Sequence, residues 1–73
     1  MKIHTMSNGD RFYIVPLQDY RNFQNAKNWC DEHLPNQSKY KDWFYTNEGI
    51  DTYQFYFLDE QVEVVIQFKL MGF

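Results

Sequence analysis

The chain has 73 residues, ten acids against seven bases for a formal net charge of −3, and a single cysteine. That length allows one domain and one modest core, and a lone Cys30 excludes an intramolecular disulfide and fits a reducing interior. The bases are scattered, with only Lys39 and Lys41 close together, so the clustered cations that neutralise phosphates are missing and nucleic-acid partners are disfavoured. No run approaches the roughly 18 apolar residues of a membrane span, and the N-terminal Met-Lys-Ile-His-Thr-Met lacks a signal-peptide stretch. The expectation is a soluble, cytoplasmic chain without membrane association.

In chain order, Asn8-Gly9 is a strong hairpin signal, because a type I′ turn needs positive φ at both central residues. A two-residue loop there sets Thr5 opposite Phe12 and Ile3 opposite Ile14, with Phe12 and Ile14 facing inward. Lys2–Met6 is a poor strand by composition and Arg11–Val15 a better one. Pro16 is expected to end the strand, since it lacks the N–H a ladder needs. Asp19 then serves as N-cap of a helix whose Tyr20, Phe23, Ala26, Cys30 and Leu34 form one apolar stripe. Pro35 stops it, and roughly sixteen residues give a rod of about 24 Å. Trp29 lies at the edge of the stripe, towards the sheet margin.

A polar linker, Pro35–Lys41, leads to a strand over Asp42–Thr46. Asn47-Glu48-Gly49 suits a turn closed by a left-handed glycine, which sets Trp43 opposite Tyr53 and Tyr45 opposite Asp51. The final third alternates strongly: Tyr53, Phe55 and Phe57 on one strand, then Val62, Val64, Ile66, Phe68 and Leu70. With a turn at Asp59-Glu60 this predicts a long hairpin with Phe57 opposite Val62 and Phe55 opposite Val64. The predicted fold is α+β, a single antiparallel sheet in the order ββαβββ with one helix packed on one face. The expected core is Phe12, Ile14, Phe23, Ala26, Cys30, Leu34, Trp43, Phe55, Phe57, Val62, Val64, Ile66 and Phe68.

One helix covers only one side of such a sheet. The same registers put Tyr13, Val15, Phe44, Tyr56, Leu58 and Val65 on the other side, among Thr52, Gln54, Glu63, Gln67 and Lys69. A solvated face reads polar at every second position, whereas this one is half apolar. Aromatics make up 21 % of the residues, more than a small core requires, and Tyr and Trp are enriched at contact surfaces. Val62–Met71 is also a long run without Pro or Gly, suited to an exposed edge that pairs with another chain.

Catalytic chemistry is absent from the pattern. Cys30 and His33 lie three apart on the predicted helix, far short of a four-ligand zinc set. Cys30 reads as a small buried hydrophobe and His33 as a favourable cation near a helix C-terminus. There is no phosphate loop and no nucleophile–base pair with an oxyanion site, so no metal, cofactor or catalytic residue is expected.

Trp29-Cys30 late in a helix, Phe55-x-Phe57-x-Asp59, and Phe68-Lys69-Leu70 closing a strand resemble small accessory proteins of tailed bacteriophages. The resemblance implies a single α+β domain without catalytic motifs. It also implies a role like that of members that inhibit host or defence proteins, anti-CRISPR proteins among them, acting in the host cytoplasm. The expected function is therefore a non-enzymatic protein-binding module that occludes such a protein. The expected contacts are Phe44, Tyr56 and Val65 on the open face, with the acidic Asp59, Glu60 and Glu63. The alternative is a structural, self-assembling homodimer with no separate partner.

Overall fold

Alternating apolar residues build four strands: β1 (Lys2–Thr5), β2 (Arg11–Gln18), β3 (Trp43–Gly49) and β4 (Thr52–Leu58). The computed structural model describes residues 2–34 and 42–73, so the linker expected at Pro35–Lys41 lies outside the described residues. The strands form one antiparallel sheet in the order β1-β2-β4-β3. Helix α1 (Tyr20–His33) joins β2 to the second half, and a single 3-10 turn at Asp59–Gln61 leads from β4 into α2 (Val62–Leu70). The α+β class with one antiparallel sheet is as expected. The ββαβββ order is not: the chain runs ββαββα, with four strands and two helices.

The reason lies in the position of β4. On one side β2 pairs Tyr13, Val15 and Leu17 with Phe57, Phe55 and Tyr53. On the other, β3 pairs Trp43, Tyr45 and Asn47 with the same three residues. Both hydrogen-bonding edges of β4 are filled, so Val62 and Val64 have no place opposite Phe57 and Phe55. The segment coils instead and sends Val65 and Phe68, three apart, into the core at 0 % and 1 % exposure. Val62, Ile66 and Leu70, expected inside or on an edge strand, are exposed, Leu70 by 81 %. Valine and isoleucine are mediocre helix formers, so packing rather than propensity holds α2 together.

Local chemistry agrees with the helix. Glu63 lies in its first turn and Lys69 in its last, each favourable against the helix dipole. The Met71 amide donates to the Gln67 carbonyl at 3.1 Å, and Gly72 (φ +77°) takes the left-handed position that ends many helices.

Three registers differ from expectation. The first hairpin has a wider turn: the Gly9 amide donates to the Met6 carbonyl at 2.9 Å, the Met6 amide to the Asp10 carbonyl at 2.7 Å, and Gly9 is left-handed at φ +96°. The Asn8 side chain accepts from the Asp10 amide at 2.9 Å. This is a type I turn with a glycine bulge, and it shifts pairing by one residue, to Thr5–Arg11 and His4–Phe12. Pro16 does not end β2, which continues to Gln18. It lies beyond the end of β1, where β2 has a neighbour on one side only and a missing donor is tolerated. In the β3–β4 hairpin, Asp51 rather than Gly49 takes the left-handed position (φ +52°). That moves Trp43 to Phe57 and Tyr45 to Phe55, an even shift that preserves the facing of every side chain.

Both helices pack on the face formed by Val15, Leu17, Trp43, Tyr53, Phe55 and Phe57. Helix α1 adds Phe23, Ala26 and Cys30. Its N-cap Asp19 accepts from the Arg21 amide at 3.3 Å, and the Asp19 amide donates to Asp51, pinning the helix start to the β3–β4 turn. At the other end the buried indole N–H of Trp43 donates to the Leu34 carbonyl at 2.8 Å. Trp29 stacks on His33 and meets Phe68 edge-on, so it bridges the two helices rather than reaching the sheet margin.

Adjacent substitutions in α2 distinguish helix from strand. Val65→Asp is expected to cost about 3 kcal/mol or more in urea unfolding, because it buries an unpaired charge. Ile66→Asp is expected to stay within about 1 kcal/mol, as surface changes do. The reverse ranking would mean that Ile66 points inward, as in the hairpin.

Candidate functional site

The face opposite the helices is built from the other parity of the same strands. Cross-strand pairing sets Phe44 opposite Tyr56, and their rings stack at 4.5 Å with planes 5° apart. Phe12, paired with Leu58 and with His4, meets Phe44 edge-on at 5.2 Å. His4 approaches Tyr56 edge-on at 6.1 Å. The Tyr56 hydroxyl donates to Gln54 at 2.8 Å, which fixes its ring along the strand. Phe44, Tyr56 and Leu58 are half-buried, whereas Phe12 is fully buried. Phe12 is thus a core residue, but of a small second cluster apart from the main core.

Of the six expected contact residues, the structure brings Phe44 and Tyr56 into direct contact. Asp59 and Glu60 follow Leu58 directly, at the Phe12 end of the same face. Asp10 and Asp42 precede β2 and β3 at that end of the sheet as well, and the Leu58 amide donates to the Asp42 carbonyl. Glu63 is exposed in the first turn of α2. Val65 is a correction: it is fully buried in α2 among the main-core residues and is not available to a partner. Tyr13 and Val15 also belong to the covered side, because extending β2 through Leu17 makes positions 13, 15 and 17 its inward set. The free sheet edges are those of β1 and β3, not of a C-terminal strand.

His4 and Phe12 were missed as members of this face. Their signal was the Phe12–Ile14–Pro16 parity, legible only once β2 is allowed to run through the proline.

Among the described residues, no group of three or more His, Cys, Asp or Glu side chains is arranged to hold a metal, and no helix is long and apolar enough to cross a membrane. His33 rests its Nδ1 against the Trp29 carbonyl at 2.9 Å and lies on the surface, while Cys30 is buried. Burial, and secondarily the charge of Asp31, pushes the Cys30 thiol from its ordinary 9.0 up to about 12. A thiolate nucleophile needs the opposite shift. Burial, followed by the Asp51 carboxylate, also raises Tyr53.

These shifts make an alkaline prediction. A thiol with a higher pKa folded than unfolded contributes stability that is whole below about 9 and is lost as pH rises towards about 12. The unfolding free energy is expected to fall across that window, less so in Cys30→Ala. At pH 8 a thiol reagent is expected to modify the native protein only at its rate of opening, and rapid native labelling would contradict the buried thiol. Compared with protein-family models, curated proteins and solved structures, the chain matches none.

Proposed function

We propose that this chain is a small, non-enzymatic protein-binding module that presents its helix-free sheet face to a partner and acts by occlusion. The observation that carries the reading is the stacked Phe44–Tyr56 pair, half-buried on a face that no described helix covers. Large aromatics dominate binding energy at interfaces. A pair already stacked in the free protein loses little rotamer freedom on association, which removes part of the usual cost. Asp59 and Glu60 at one end of the patch, with Asp10 and Asp42 beside them, favour a partner whose surface is basic there. Glu63 extends the same sign onto α2.

The partner class follows from the phage-accessory resemblance: a host or defence protein, met in the host cytoplasm. Trp29-Cys30 in α1 and Phe55-x-Phe57-x-Asp59 in β4 keep the placement on which that resemblance rests, while Phe68-Lys69-Leu70 closes a helix and not a strand.

A second reading, a homodimer without a separate partner, is favoured by one feature. Val62, Ile66 and Leu70 lie four apart along the exposed side of α2, with Met71 next to them. Such a stripe suits helix-to-helix association.

The two readings separate in paired experiments. A protein retained from bacterial lysate by the wild type and lost with the double variant Phe44→Ser/Tyr56→Ser, whose circular dichroism is unchanged, is the expected result. Retention by both would contradict the sheet-face version. Sedimentation is expected to give monomer mass across concentrations. A stable dimer that Ile66→Asp dissociates would transfer the function to α2.

A further inference from the structure

A separate cavity of about 580 Å³ lies at the opposite end of the sheet from the acidic residues. It exists because β1 is short. Lys2, opposite Ile14, is the last residue of β1 to pair, so Val15–Gln18 of β2 has only β4 beside it. The gap left at that edge is bounded by the C-terminal part of α2. Apolar Val15, Leu17 and Phe68, all nearly inaccessible in the folded chain, line its interior. Lys2 and Lys69 stand at its rim, with Gln54 alongside.

The charge of this cavity is opposite to that of the chain. Its ionisable lining residues are the two lysines, and no Asp or Glu is among them, in a protein whose net charge is −3. Among the described residues neither lysine has an ion-pair partner, the ion pair there being Lys27–Asp31 on α1. Two lysines over an apolar interior suit a ligand with an anionic head and a hydrocarbon tail, since an ammonium–carboxylate hydrogen bond is stronger than a neutral one. Pockets of about 300–1,000 Å³ with apolar walls and a few polar groups are the usual form of small-molecule sites. At about 30 Å³ per water-sized group, the volume accommodates a chain of about ten carbons with its head group. A peptide strand is a poorer occupant, because Pro16 lacks an N–H and the unpaired stretch of β2 is short.

We infer that this edge cavity binds a medium-chain monocarboxylate, the tail against Val15, Leu17 and Phe68 and the carboxylate between Lys2 and Lys69. This site is distinct from the aromatic face and does not depend on the protein-binding reading.

The test is a titration of the ¹⁵N-labelled full chain with decanoate, kept below its micelle-forming concentration, followed by amide shifts. Saturable shifts at Val15, Leu17, Gln54, Phe68 and Lys69 are expected. Acetate, which has the head alone, is expected to produce none of them, and decanol, which has the tail alone, to bind at least tenfold more weakly. Lys2→Gln/Lys69→Gln, at exposed positions that leave the fold intact, is expected to weaken decanoate at least tenfold while leaving decanol unchanged. Equal affinity for decanol and decanoate, or equal affinity of the variant and wild type for decanoate, would overturn the assignment. So would shifts centred on Val62, Ile66 and Leu70 or on Phe44 and Tyr56, or an absence of saturable shifts.

Discussion

The ring of Phe55, fully buried at the middle of β4, is the point on which the rest of the structure depends. Helix α1 brings Phe23 to it at 5.9 Å, β3 brings Trp43 and Tyr45 at 6.1 and 5.9 Å, and α2 brings Phe68 at 5.4 Å. Its cross-strand neighbour in β2 is Val15. Each aromatic ring in such a cluster buries about 150–250 Å², so a short chain obtains its core from few residues. The geometry also has a cost in coverage. Both helices must reach the same side of β4 to meet Phe55, and the opposite side is left to pack itself.

That second side does so only in part. Phe12 disappears beneath Phe44, but Phe44 and Tyr56 can cover one another on one ring face each and stay half open. A sheet with one side solvated usually carries polar residues there; here Thr52 and Gln54 are polar while Phe44, Tyr56 and Leu58 are not. The acidic turn after Leu58 and the cationic cavity beyond the end of β1 lie at opposite ends of the sheet. A net charge of −3 therefore conceals a polarised molecule, with one end suited to bases and the other to an anion.

Much of this was legible in the sequence, and the failures have definite causes. The α1 stripe of Phe23, Ala26, Cys30 and Leu34 follows helical spacing, and Asp19 caps it as its side chain dictates. Phe44 and Tyr56 fell on the correct face even though the β3–β4 register was four residues out, because an even shift preserves parity. The misreading of Val62–Leu70 came from a segment that satisfies two periods at once. Val62, Val64, Ile66, Phe68 and Leu70 alternate as a strand should, while Val65 and Phe68 alone carry the helical spacing. Pairing decided between them: β2, far away in sequence, occupies the edge of β4 that a C-terminal hairpin would need, and no local pattern records that. The helix signs were present nonetheless in Glu63, Lys69 and Gly72, which match the ends of a helix better than those of a strand. Val65 was lost as a contact residue by the same error. His4 and Phe12 were lost to a different one, the assumption that a proline must end a strand.

The most direct test of the account is a set of proton–proton distances from nuclear Overhauser spectra across residues 55–70. The account predicts sequential amide–amide contacts through Val62–Leu70 and contacts from the Phe68 ring to those of Phe55 and Phe57, which lie 5.4 and 5.0 Å away. Cross-strand contacts between Phe57 and Val62 and between Phe55 and Val64 would contradict it. They would place the C-terminal segment beside β4, displace β2 or β3 from the sheet, and dissolve both the aromatic face and the edge cavity.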